Sequence, residues 1–280
     1  MLNLLLTIIC STSIALILKH NDSKKGNPVV LLMGNYFVAS LLGFFFMLKS
    51  GKISFSTEVL IFGAFMGGVF FLSFFLFTKG VNIAGAALST VSSRLSVIIP
   101  IFLSIIFFNE IPGLTQIIGF LFAVATIVLF YFSLKTISQE QLTFSEYFIL
   151  FTLLAGIGIG DFGMKIFNQW KSSVDQPFFL FSIFSFAFLY TLIYVLVKKE
   201  KIELITLKRG AVLGIPNIFS SYFLLEALNQ IPAIIVYPVA NIGIILATTS
   251  GALFFWKEKL NKFGKIALVS GITSILFLSL

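Results

Sequence analysis

Hydrophobic residues fill this chain in long unbroken runs, near 2–18, 28–48, 57–78, 86–108, 111–133, 145–166, 177–197, 210–228, 232–255 and 263–280. Short polar stretches separate them, among them His20 through Asn27 and Lys198-Lys199-Glu200-Lys201. A helix needs about 20 residues to cross the hydrocarbon core of a bilayer. Inside lipid every backbone N–H and C=O must be bonded within the protein, so such runs are helices unless they close a barrel. Barrel strands are shorter and alternate apolar with polar, which these runs do not. The pattern therefore predicts an all-α polytopic membrane protein of ten transmembrane helices. The run at 210–228 is the least uniform, holding Gly214, Pro216, Asn217 and Glu226; a proline there implies a kink or a broken helix.

Composition agrees. The 280 residues are 58% hydrophobic and 11% charged, against about 25% charged in a soluble domain. Mean hydropathy is +1.06. The net charge of +8 does not form a nucleic-acid-binding stripe, because the basic residues sit in clusters between apolar runs. Fourteen of them follow odd-numbered runs and 4 follow even-numbered ones, a bias that places both termini outside the cytoplasm. The first run carries no charge before it and lysines after it, so it reads as a retained span and not a cleaved signal. Cys10 is the only cysteine, which excludes an intrachain disulfide.

The chain also repeats itself. The stretch from Lys79 to Glu110 echoes in that from Glu226 to Glu258. Asn82 aligns with Asn229, and Phe107-Phe108 with Phe254-Phe255, at a constant offset of 147. Two copies of five spans result, at 1–135 and 144–280. Five is odd, so the second copy enters the membrane the other way up. Inverted repeats of this kind let two halves rock about a site near the midplane.

The run ending Phe107-Phe108-Asn109-Glu110, followed by Gly119, resembles the closing hairpin of an EamA repeat. So does the second copy, ending Phe254-Phe255-Trp256-Lys257-Glu258 and followed by Gly264 and Gly271. Two such units make a transporter of the drug/metabolite transporter superfamily. The resemblance covers nearly the whole chain. It implies transport of a small organic solute, often for export, through a central cavity lined by the third, fourth, eighth and ninth helices with the first and sixth. It also implies termini inside the cytoplasm, against the charge bias. The plasma (inner) membrane of a bacterium is the expected location, and a homodimer is compatible with this reading.

Ionisable groups within a span cost about 2.5–3.5 kcal/mol on insertion scales, so each needs a reason. Arg94 lies about 12 Å into the fourth run at 1.5 Å per residue. One reading makes it a clamp for a carboxylate or phosphate. The other makes it a structural residue bonding helix carbonyls or a glutamate. Thr90, one turn earlier, shares its face. Asn241 is its repeat counterpart, and Tyr237 lies one turn before Asn241. Asn35 and Asn217 are further candidates for solute contact. Asp161 and Lys165, spaced i and i+4, can pair across one turn, or Asp161 can serve as a proton-coupling carboxylate. Glu226 is a second coupling candidate. Glu110 and Glu258 read as solvated or capping carboxylates in turns.

The leading reading is a secondary transporter of a small polar or amphipathic metabolite that works by alternating access. A non-transporting scaffold or partner subunit of a membrane complex is the alternative. The single histidine and the absence of H-E-x-x-H or a catalytic carboxylate pair argue against an enzyme. No phosphate-binding loop of the G-x-x-x-x-G-K type occurs, so any energy comes from an ion or solute gradient. No cofactor and no metal are called for.

Overall fold

A computed structural model describes residues 1–50, 55–135, 143–256 and 261–280; at 22–23, 81–88, 90–92, 134–135, 146, 252–253 and 256 only the backbone is described. Ten α-helices follow one another: α1 (Leu2–Ser23), α2 (Pro28–Lys49), α3 (Thr57–Leu95), α4 (Ile98–Phe108), α5 (Leu114–Lys135), α6 (Phe144–Trp170), α7 (Gln176–Lys198), α8 (Leu204–Leu228), α9 (Ala233–Trp256) and α10 (Lys262–Ser279). No strand occurs among the described residues. Among the described residues, nine helical segments are long and apolar enough to cross a membrane, and Ser93–Phe108 is a shorter apolar one. Large side chains such as Phe45, Leu121 and Phe254 stand on the outer surface, which fits lipid and not water around the helices.

The expected gap between the third and fourth spans is not where the polar residues suggested. Lys79-Gly80-Val81-Asn82 stays helical, and α3 runs on to Leu95. The interruption comes at Ser96 and Val97. Pro100 causes it. Proline lacks the N–H that would bond the carbonyl four residues back, and its ring collides with that carbonyl, here Ser96. Arg94 therefore sits in the last turn of α3, just before the break, and not part-way along an uninterrupted span.

Caps set several other boundaries. Asn27 accepts from the Val29 and Val30 amides at 2.9 and 3.4 Å and, with Pro28 behind it, starts α2. Asn109, in the left-handed region at φ 53°, ends α4. Asn261 accepts from Gly264 N at 2.9 Å, donates to Ser133 O at 2.9 Å and accepts from Ser133 Oγ at 2.8 Å. Asn261→Ala removes a cap and a tie to α5 together. It should cost about 1–2 kcal/mol, the range for lost helix caps, and would be read as a lower melting temperature in detergent. An unchanged melting point would show that the cap contributes little.

Two compact units form, each from both halves of the chain. The first comprises Met1–Leu72 and Ile166–Ala227, the second Ser73–Lys165 and Leu228–Leu280. In the first, α2 packs on α7. Ser40 Oγ meets Ser185 Oγ at 2.7 Å, and Phe167, Phe179 and Phe62 stack ring on ring. The helices α2 and α8 approach at backbone distance, because a Cβ at Gly210 would fall inside the contact radius of Leu31 O and one at Gly214 would lie 2.5 Å from Asn35 O. Small residues are the usual means of such contacts in membranes. In the second unit, α5 packs on α10 and α4 on α9. There Thr126 Oγ1 donates to Ser270 Oγ at 3.0 Å and Ser274 Oγ to Gly119 O at 2.8 Å.

Candidate functional site

The sequence candidates fall into two groups, one in each unit. In the first unit, Asn217 Nδ2 donates to Asn35 Oδ1 at 3.0 Å. The pair lies where Gly210 and Gly214 bring α8 against α2, so each amide satisfies the other at a tight helix crossing. The Glu226 side chain, half-buried on α8, makes no hydrogen bond or ion pair with a described residue.

The second unit holds the larger group, and α9 organises it. Arg94 Nη1 donates to Asn241 Oδ1 at 3.2 Å. Asn241 Nδ2 turns back along its own helix and donates to Tyr237 O at 3.1 Å. One turn further toward the start of α9, the Tyr237 hydroxyl donates to the main-chain carbonyl of Asp161 on α6. Asn241 and Tyr237 are buried. Arg94 Nε is also buried and has no hydrogen-bond partner among the described residues. A guanidinium carries five donors, so this one retains capacity for an acceptor that no described residue supplies. The Thr90 side chain lies outside the described residues, as do the side chains of Asn82 and Trp256, all of Lys257 and Glu258, and the junction at 136–142.

The expected i, i+4 pair between Asp161 and Lys165 does not form. Lys165 Nζ instead reaches Glu110 Oε1 at 2.7 Å, with side chains 3% and 11% exposed. The ammonium also lies 5.5 Å from the centre of the Phe108 ring. The other oxygen of the same carboxylate, Glu110 Oε2, accepts from the Ile234 amide at 3.0 Å. That amide is among the first of α9, where the positive end of the helix favours a carboxylate. Glu110 wins Lys165 because it also satisfies a free helix-terminal N–H, which Asp161 is not placed to do. Asp161 is left without an ion pair or side-chain hydrogen bond among the described residues. It stands close enough to Arg94 for each charge to act on the other.

Glu110 was readable as a capping carboxylate, but its bond to Lys165 was not. The signal for it was Lys165 itself, a charge inside a span that must find a partner. Along α9 the polar contacts succeed one another on a single face, from Ile234 through Tyr237 to Asn241, spaced by three and four residues. On α6, Lys165 and Asp161 match the first two. The result is a ladder of charged and polar groups leading from one end of α9 to Arg94. It can hold an anion against the guanidinium. Nothing in it resembles a nucleophile with its base.

Known proteins bear on this arrangement. The profile of the EamA-like transporter family matches residues 1–132. An uncharacterized protein of Haemophilus influenzae is 30% identical over 286 residues, spanning 98% of this chain and 96% of the relative. A crystal structure of a protein with 14% identity superposes with a TM-score of 0.78, covering 99% of this chain and 98% of that one. At that identity the likeness concerns the fold alone.

Proposed function

Because this chain belongs to the EamA-like transporter family, whose members are membrane transporters and not enzymes, we propose that it is a secondary transporter that exports a small polar or amphipathic metabolite, with Arg94 as the residue that contacts the solute. The two repeats, 1–135 and 144–280, alternate access to that site. The membrane is the plasma membrane of a bacterium, which the Haemophilus relative supports.

The observation that carries this reading is the bond from Arg94 to Asn241. These residues are 147 apart, the offset at which the sequence repeats. Repeat-equivalent residues meet only where they flank a local pseudo-two-fold axis. Ser40 and Ser185, 145 apart, bond within the first unit and Thr126 and Ser270, 144 apart, within the second, offsets close to the 147 of the repeat, which supports this reading. The packed pairs α2 with α7, α4 with α9 and α5 with α10 each join an element to its counterpart five later. Inverted-repeat transporters bind solute near such an axis. Among the described residues, only at Arg94 and Asn241 does such a pair carry a charge.

Asn35, Asn217, Tyr237 and Thr90 serve as flanking contacts in this proposal, and Asp161 and Glu226 as coupling carboxylates. A screen of metabolites by thermal shift on the detergent-purified protein identifies the solute, since a ligand that binds only the folded state raises its apparent stability. Arg94→Ala should then weaken binding of the stabilising metabolite roughly 10- to 100-fold, because hydrogen bonds to a charged group contribute about 1.5–3 kcal/mol. An undiminished thermal shift in that variant would remove Arg94 from the solute site.

A further inference from the structure

We propose that Lys165 exchanges between two carboxylates, Glu110 and Asp161, and that this exchange both releases the start of α9 and withdraws the counter-charge from Arg94. The inference rests on the transporter reading and assigns the regulation of its solute site.

One ammonium has two carboxylates it can reach, one bonded to it and one a helical turn away. Lys165 is bonded to Glu110 at 2.7 Å. Asp161 lies one turn away on the same face of α6, the spacing at which side chains of opposite charge pair readily. The two pairings are mutually exclusive. They differ in what they hold together. With Glu110, the lysine binds a carboxylate that also caps α9 through Ile234 N, so α6, the turn after α4 and the start of α9 are tied into one knot. With Asp161, it binds a residue of its own helix and ties nothing across.

The charge balance differs in the same way. Four charged side chains belong to the ladder: Arg94, Lys165, Glu110 and Asp161. In the present pairing Asp161 has no ion-pair partner among the described residues and remains to balance Arg94. Transfer of Lys165 to Asp161 neutralises that carboxylate. Arg94, with its buried and unbonded Nε, is then the uncompensated charge and takes an anionic group of the solute. Glu110 lies in the turn after α4 and is the more exposed member of its pair, so water can receive it when the lysine leaves. Tyr237 is indifferent to the exchange, because it bonds the main chain of Asp161 and not its carboxylate.

The experiment reads the start of α9 and needs no solute. The full chain carries Cys10→Ser and Ala233→Cys, the latter at a fully buried position beside Ile234, and reacts with N-ethylmaleimide in membranes. Glu110→Gln keeps an oxygen for Ile234 N but loses the charge that holds Lys165. It should raise the labelling rate about tenfold, the scale expected when a buried pair loses one partner and the population shifts. Asp161→Asn leaves Lys165 only Glu110, and should hold the rate at or below that of the parent. Combining the two leaves Lys165 tied to nothing across α9 and should keep the rate as high as Glu110→Gln alone. A rate raised equally by either single substitution, or a double variant that labels no faster than the parent, would overturn the exchange. Should Glu110→Gln fail to insert, Glu110→Asp keeps the charge but shortens its reach, and serves in the same comparisons. Because labelling does not depend on flux, a chain that carries no solute would contradict the transporter reading without altering this result.

Discussion

Lys165→Met should lower the stability of the protein by about 3–5 kcal/mol, the usual cost of leaving one member of a buried ion pair behind. The ammonium is 3% exposed and its bond to Glu110 measures 2.7 Å. Without it, a carboxylate 11% exposed is left with only the Ile234 amide to bond among the described residues. The same physics predicts a rescue. Glu110→Gln/Lys165→Met has no charge left to desolvate and keeps the cap on α9. Replacing a whole buried pair by neutral groups is often neutral or stabilising, so the double variant should recover most of the loss. Melting followed by tryptophan fluorescence in detergent checks both values. A double variant as unstable as the single one would mean that Lys165 acts through packing and not through charge.

The second large effect is expected at Gly210. A methyl group there would overlap Leu31 O, and its nearest other neighbours are also main-chain atoms of α2. Backbone cannot rotate away as a side chain can, so the two helices must part. Overpacking of this kind costs about 1–3 kcal/mol. Gly210→Ala should therefore lower the melting temperature clearly and lengthen the Asn217 to Asn35 bond, which depends on the same approach. Gly113→Ala is the control, because its Cβ would come no nearer than 3.6 Å to a flexible Gln116 side chain. Equal melting points for the two variants would show that α2 and α8 are not held at the distance described.

Much of the fold is legible in the apolar runs because lipid imposes one rule on all of them. Run length and internal hydrogen bonding leave a helix as the only choice, and the boundaries of α2, α5, α7, α9 and α10 lie close to the runs that predict them. The α3–α4 junction was misread for a physical reason. Lys79-Gly80 looks like a loop because it is polar, but no residue there prevents helix. Pro100 does, and its effect falls four residues upstream, at Ser96. Polarity marks where a chain can leave the membrane, whereas proline removes one helical hydrogen bond: at Pro100 the helix is interrupted, while α8 and α9 run on through Pro216 and Pro238.

The site shows the same division. Arg94 and Asn241 could be matched by their offset, but an alignment of repeats does not say where two helices cross. The end of α3 must meet α9, beside the packing of α4 on α9, to bring them together. Asp161 and Lys165 had the right spacing to pair, and local spacing is silent about a rival. Glu110 arrives from a turn 51 residues before Asp161 and brings a helix N-terminus as a second partner. Asn35 and Asn217 each stood out as amides in apolar runs. Their pairing is set by glycines one and two turns away, whose meaning depends on which helix lies opposite.

The central claim is that the chain moves a solute held at Arg94. Flux of the stabilising metabolite into proteoliposomes that contain only the purified chain tests it most directly. The account predicts flux with the native sequence and none with Arg94→Ala, in a variant that inserts and melts as the native protein does. Equal flux in both, or none from the native chain, would contradict it.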